Sequence, residues 1–497
     1  MVRIDSSTAG GLWLMVALVA FGCAAEHEVP ALRIAYPHSM VTLDPHAHAD
    51  TVTGTVLSAV YEGLVYFEPG LPVRPLLADR WTTPDDLTWH LHIRDGVRFH
   101  TGSPLTAADV VASIERARSR EVTGLQLQDI VGVRALEADD RIVEIVTDQP
   151  APLLLTRLET VAIVPRDFDP LVPSGTGPYR WVVGSEQGPV VLRRWKSYWQ
   201  QRPDFEEVNI QFVEFQEELA VLLHRGQLDV VASVSSSYVA GHLPIEHWRV
   251  EASRAVATTY LGLNLSSGPL DRPLVREAIE TAIDQSALLA TVFPPGTAAA
   301  APTLVPPEVF GYRPEHRRMP VDVARARELL REAGLAEQAR LRLDCAERYL
   351  PVAEFLASAL AQVGLDVEIN AMPYEVFYRR LERGETELSL FTWSFRVADA
   401  SLFLEAFVHS RDGSRGLGTF NGAGIADREL DQAIDLLASE PSSAARLERL
   451  QELLSRVIGL HAYIPLFQPK YLSLAREGVV IDGPALTMPR PQDVRRR

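Results

Sequence analysis

Cysteine is scarce in this sequence of 497 residues, which has only Cys23 and Cys345. With no CxxC pair and no zinc-finger spacing, a disulfide-stapled scaffold and a cysteine-based zinc site are both excluded. Positive charge is in deficit: 48 Lys and Arg stand against 65 Asp and Glu, a formal net charge of −17. Binding to a phosphate backbone needs dense cationic patches, and the one basic cluster is the arginine run 495–497; nucleic acid is therefore not expected as a partner. No apolar run reaches the roughly 20 residues of a membrane-spanning helix. Short catalytic signatures are missing too: there is no GxSxG, HExxH, Walker loop or GxGxxG. Gly175 and Gly177 in "SGTGPYRW" supply a GxG alone, which reads as a turn. No triad can be assembled and no cofactor motif is present, so a secreted hydrolase has no motif behind it and no enzyme activity is expected.

What is there is an ordinary globular balance, 47% hydrophobic and 23% charged, with enough chain for two to four domains of about 100–200 residues. Near the N-terminus, Arg3 precedes "GLWLMVALVAFG", an apolar run of 12 residues, the length of a signal-peptide core. It leads into "VAFGCAAE", which resembles the lipobox of bacterial lipoproteins. That likeness implies a signal peptide over residues 1–22, a lipid on Cys23 as the first mature residue, and a linker over 23–30. Cys345 is then alone and no intramolecular disulfide is expected.

Strand-like and helix-like segments alternate along the rest. Residues 31–37, "ALRIAYP", form a short apolar strand. In "LTWHLHIRDG", Trp89, Leu91 and Ile93 fall on one face of a strand and Thr88, His90 and His92 on the other. The two histidines read as an exposed polar face rather than as metal ligands. In "SPLTAADVVASIERAR", Thr106 and Asp109 have capping-box spacing, Leu105 and Val110 staple spacing, and Val110, Val111 and Ile114 make a buried stripe. Residues 271–289 and 321–335 read as amphipathic helices, the second closed by Gly334. "RLRLDC" and "GLDVEINAMP" flank the helix "VAEFLASALAQVG", a βαβ pattern that makes this part of the chain α/β.

Two stretches carry chemistry-bearing side chains. "LDPHAHADT" places His46, His48 and Asp50 at alternating positions, one face of a strand if it is a strand. They are weak candidates for a first-row transition metal. "FTWSFRVADAS" (391–401) puts Trp393, Arg396 and Asp399 at the end of a strand, either as a packed strand end or as the wall of a ligand site.

Several segments, in order, resemble the solute-binding proteins of peptide- and nickel-type ABC importers, family 5. They are "TLDPH", "VYEGLVYFEPG", the long block "RPLLADRWTTPDDLTWHLHIRDGVRFHTGSPLTAADVVASIERA", "GTGPYRW", "LGLNLSSGPLDRPLVREAIETAID", "ARELLREAGL" and "YIPLFQPKY". The resemblance spans almost the whole mature chain. It implies a two-lobed α/β periplasmic-binding-protein fold with an extra inserted domain and the ligand in the cleft between lobes. The implied division is a first lobe of residues 31–62, 170–253 and 471–497, an insert of 63–169 and a second lobe of 254–470. The implied role is that of a monomeric extracytoplasmic protein that clamps a peptide or other mid-sized solute and hands it to a permease and ATPase complex. A nickel or metal-chelate binder of the same fold is the alternative, and a sensor built on this fold a further one.

Peptide binders of this family carry a Trp in the region of 391–401 and, three residues on, an Asp that meets the peptide ammonium. Here Trp393 is kept, Arg396 stands where the Asp is expected, and Asp399 falls where a second acidic residue is found. A cation there repels an ammonium, so the resemblance implies either an anionic or hydroxyl-rich ligand group at Arg396, or neutralisation of Arg396 by Asp399. Asp50 and Thr51 are the implied contacts from the first lobe, and His46 is implied to be structural.

Overall fold

A computed structural model describes residues 31–497 apart from 49, 69–71, 138, 243–245, 336–338, 396 and 484–487. Among the described residues, twelve strands join in one sheet with two halves. The first half is built on Leu32–Tyr36, an apolar segment that pairs in parallel with Glu207–Phe212 on one side and Val230–Val234 on the other. The second half is built on Ala339–Ala346, parallel to Leu365–Met372 and to Leu388–Ser394. Each half has apolar side chains on both faces, as expected for a parallel sheet covered on two sides. Alternate residues of one strand therefore feed different cores: Phe391 joins Tyr260, Phe403 and Phe407, whereas Leu388 and Leu390 join Leu341 and Leu343.

One strand belongs to both halves. Tyr463–Arg476 pairs with Ala257–Leu263 in the second half through its first residues, and with Trp248–Arg254 in the first half through its last. The two partners are consecutive in sequence, so the chain crosses between halves twice, side by side and antiparallel. Burial along the shared strand drops at Gln468, Pro469, Lys470 and Tyr471, the point where neither core covers it.

The inserted segment has its own core. Ala78–Thr82, Thr88–Ile93, Asp139–Thr147 and Ile130–Leu136 form a four-stranded sheet in that order. The helix Ala107–Arg118 packs on it, starting with the full capping box of Thr106 and Asp109. Leu105, Val110 and Ile114 enter this core, while Val111 is only half-buried. His90 and His92 lie on the polar face of their strand, where His90 meets Glu144 at 3.1 Å and His92 meets Arg80 at 3.0 Å.

Elsewhere the expected elements are present with one difference. The helix expected over 271–289 is two helices, Pro273–Ala282 and Gln285–Val292. Ile283 is extended, and Asp284 caps the second helix by accepting from the N–H groups of Ser286 and Ala287. An Asx cap that serves a new helix start ends the helix before it. Helix Val323–Glu332 begins at the Asp322 cap and is followed by Gly334 at φ +76°, which closes it as expected.

The insert is welded to the first half by residues from the segments quoted above. Asp44 accepts from both Nη atoms of Arg116, at 2.8 and 2.6 Å. His46 is fully buried beside this pair. Its Nδ1 accepts from Arg116 Nη1 at 2.8 Å, and its Nε2–H donates to the Ala162 carbonyl at 2.7 Å. Within the first half itself, Glu62, buried, accepts from the hydroxyls of Thr176 (2.7 Å) and Tyr198 (2.8 Å) and from the Trp199 indole N–H (2.9 Å). His100 donates to the Gly177 carbonyl at 2.9 Å and accepts from the Gly175 N–H at 3.3 Å. The two glycines of "GTG" are required here: a Cβ on Gly175 would stand 2.2 Å from the Val60 carbonyl oxygen, and one on Gly177 2.7 Å from that of Ala59.

Burial pushes His46 and His100 down to about 4, so both are neutral at pH 7. The unfolded chain then binds more protons than the folded one between the ordinary histidine value of about 6.5 and about 4. Stability is therefore full above about pH 6.5 and falls as pH drops through that window, by up to roughly 1.4 kcal/mol per pH unit for each histidine. Urea titrations of the wild type at stepped pH should show this slope, and the His46→Gln, His100→Gln double variant should be flatter. Equal slopes would remove the two rings as the cause.

Candidate functional site

Strand register locates the site. Val234, at the carboxyl end of its strand, lies opposite Leu472, and Ser394, at the end of its own, lies opposite Ala257. Both positions adjoin the double crossing, so the carboxyl ends of the parallel strands in the two halves face one another across it. In open α/β sheets ligands bind in the crevice outside the carboxyl ends of the strands.

From the first half, Asp50 is the N-cap of helix Thr51–Leu57. Its Oδ1 accepts from the Thr53 N–H at 2.7 Å and hydroxyl at 2.5 Å, and its Oδ2 lies 3.6 Å from His38. The side chain remains 21% exposed, so part of the carboxylate is available at the helix start. Thr51 opens the helix, and its carbonyl accepts from the Thr55 hydroxyl. The segment containing His46, His48 and Asp50 is a turn leading into a helix, and the three do not share a strand face. Both nitrogens of His46 are engaged, and among the described residues no group of His, Cys, Asp and Glu is arranged to hold a metal ion.

From the second half, Trp393 is half-buried near the end of Leu388–Ser394. Its ring stands edge-on to Phe407 at 5.1 Å, with Phe420 at 6.3 Å, and its Nε1 is enclosed without a hydrogen-bond acceptor. Phe420 contacts Tyr378 at 5.3 Å, and Tyr378 contacts Tyr374 at 4.9 Å. Tyr374 follows the end of Leu365–Met372, and Glu347, Arg348 and Tyr349 follow the end of Ala339–Ala346. Arg348 sits over both the Tyr374 ring, at 4.6 Å, and the Tyr349 ring, at 5.0 Å. The Tyr349 hydroxyl meets Thr392 at 2.6 Å, and Thr392 meets Thr259 at 2.7 Å.

This edge thus combines an aromatic wall with an exposed guanidinium steadied by two rings. The sequence reading missed Arg348. The available signal was its place directly after the first strand of the βαβ unit, where loops carry ligand contacts.

Arg396 lies outside the described residues, as does Cys23. Asp399 is 4% exposed and committed to Arg446: its Oδ2 accepts from Nη1 at 2.5 Å and its Oδ1 from Nη2 at 3.0 Å. Oδ1 also accepts from the Ser401 N–H at 2.9 Å, and Arg446 lies over the Phe310 ring at 5.3 Å. Asp399 is therefore not a carboxylate held in reserve to neutralise Arg396, because its charge is already matched inside the second half. No neighbouring residue signals this pair, since Arg446 lies 47 residues away on the helix Ser443–Gly459. Breaking a buried pair leaves an uncompensated charge and costs about 3–5 kcal/mol. Asp399→Ala should lower the free energy of unfolding in urea by that amount. A loss below about 1 kcal/mol would mean that the pair is not a structural one.

The fold and the crevice define a two-lobed binding protein, with a small domain inserted into the first lobe. A sequence model of the bacterial extracellular solute-binding proteins, family 5, matches residues 72–415. The chain belongs to that family, and it is the extracytoplasmic solute-binding component of an ABC import system. Glutathione-binding protein GsiB of Salmonella paratyphi A is 27% identical over 485 residues, 93% of each chain. Among solved structures, NikA from Brucella suis in complex with Fe(III)-EDTA superposes with a TM-score of 0.83 at 22% identity, covering 94% of this chain and all of that one. DppA from Helicobacter pylori, in complex with the peptide STSA, gives 0.75 at 22% identity over 94% and 98% of the two chains. Among the described residues no helix is long and apolar enough to cross a membrane.

Proposed function

We propose that the captured solute is a peptide or peptide-like molecule with a carboxylate that docks on Arg348, against a wall of Tyr349, Tyr374 and Trp393. The observation that carries this reading is the Arg348 guanidinium held over two tyrosine rings at the carboxyl edge of the second lobe. Among the described residues no carboxylate pairs with it. A stacked guanidinium keeps its in-plane N–H groups free for a carboxylate, and little entropy remains to be lost on binding. The likeness over nearly the whole chain to proteins named for glutathione, a tripeptide with two carboxylates, supports the class. Trp393, Asp50 and Thr51 complete the proposed contacts, with Arg396 as a second cation and Asp399 behind as a fixed support. The bodies that move in closure are the first lobe with its insert (31–253 and 471–497) and the second lobe (254–470), and the protein works as a monomer with its permease and ATPase. A metal chelate bearing carboxylates is the second reading of the same cationic wall.

Calorimetric titration with glutathione, with a pool of di- to pentapeptides and with the same pool amidated at the C-terminus tests the proposal. The free acids should bind, amidation should weaken them, and Arg348→Ala should cost roughly 2–5 kcal/mol, the usual loss when one partner of a buried charge pair is removed. Binding of Fe(III)-EDTA alone would move the assignment to a chelate. Equal affinity of Arg348→Ala and wild type for the free acids would remove Arg348 from the site.

Cys23 is proposed to carry the lipid that holds the protein at the membrane, since the apolar run ends at Gly22-Cys23. Intact-mass spectrometry of the membrane-fraction protein should find a chain that starts at Cys23 with added acyl mass. A mature chain starting at Ala25 or later, without that mass, would sink the idea.

A further inference from the structure

The inserted domain and the second lobe approach each other at a small, charged interstice. Asp129, Ala151, Pro152, Leu153 and Arg157 of the insert meet Ser401, Glu405 and Ala438 of the second lobe, leaving an interstice of about 10 Å³. That is room for about one water molecule. Glu405 lies in Leu404–Val408, a π-helical turn, a rare conformation found disproportionately at functional sites. On the insert side, Arg157 and Asp129 pair at 2.6 Å. On the side of the second lobe, the charges around Glu405 are the Asp399–Arg446 pair and Arg415. Glu405 thus feels two carboxylates, Asp129 and Asp399, and the three neighbouring arginines, Arg157, Arg446 and Arg415, already have partners.

The welds described above make the insert one body with the first lobe, through Asp44–Arg116, His46 and His100. Opening of the crevice must therefore separate Glu405 from Asp129 and Arg157, and closure must bring them together. We propose that Glu405 is a proton-operated latch: the insert closes over its carboxyl group more readily when that group carries a proton, so closure of the crevice takes up a proton. The inference rests on the two moving bodies proposed above, not on the identity of the solute.

The sign follows from the two states. With the contact made, loss of solvent pushes Glu405 up to about 7, against the opposing pull of Arg157. With the contact open, the carboxyl group returns toward the ordinary value of about 4.3. Closure is then most favoured at low pH. It weakens about tenfold per pH unit as pH rises between those values and is lowest and constant above about 7.

Hydrogen–deuterium exchange of the intact, solute-free protein, read by mass spectrometry at pH 6.0 and 8.0 and corrected for intrinsic exchange, tests this without any ligand. Peptides covering 151–158 and 401–408 should exchange at least about fivefold more slowly at the lower pH. In Glu405→Gln, the neutral isostere, they should be protected equally at both. Asp129→Asn, which removes a like charge, should move the wild-type transition to lower pH. Wild-type protection that is the same at both pH values overturns the latch, as does a pH dependence that persists in Glu405→Gln. If that variant does not fold, an unmoved transition in Asp129→Asn overturns it instead. Because no solute is present, failure here leaves the ligand proposal to stand or fall on calorimetry.

Discussion

The strand Tyr463–Arg476 is the constraint on which the molecule depends. Its first residues are ladder partners of the second lobe and its last residues are ladder partners of the first, so neither half-sheet is complete without it. The adjacent crossing from Trp248–Arg254 into Ala257–Leu263 runs antiparallel to it. Two side-by-side tethers resist twist and shear better than one, yet leave bending possible where core burial lapses at Gln468, Pro469, Lys470 and Tyr471. The same register fixes the site. The parallel strands on both sides end at the tethers, so their carboxyl-end loops have nowhere to point but across the crevice.

Around that axis the chain separates rigid joints from a breakable one. The joints between insert and first lobe are well satisfied: a bidentate Asp44–Arg116 pair and two neutral histidines with both ring nitrogens occupied. Buried polar groups that are fully partnered specify one docking geometry, since any slip strands several of them at once. Where the insert approaches the second lobe, Glu405 lies instead among charges that already have partners.

The electrostatics of the site follow the same economy. Asp399 and Arg446 cancel within the core of the second lobe, and Phe310 covers the guanidinium. Among the described residues, Arg348 is a cation left exposed at these strand ends, braced by Tyr349 and Tyr374. The aromatic residues fall into two groups: Phe403 and Phe407 are fully buried and back the strand ends, while Trp393 is half-buried and Tyr374 exposed.

The sequence by itself determined the local elements and the family. Strand Leu32–Tyr36, the capping box at Thr106, the Gly334 stop and the βαβ unit around Leu350–Ala361 are written in neighbouring residues, because alternation, caps and helical periodicity act over a few positions. The quoted segments were legible as family signatures, but their work was not: His46, His100, Gly175 and Gly177 turned out to be the joints of the insert, with partners up to 116 residues distant. What only the tertiary structure decided is which charges are spent and which remain. Asp399 looked available beside Trp393 until Arg446 arrived from a distant helix, and Arg348 looked like any loop arginine until two rings closed on it. Pairing in a core depends on distances that the chain sets only once it has folded, and a residue's own neighbours in sequence do not encode them.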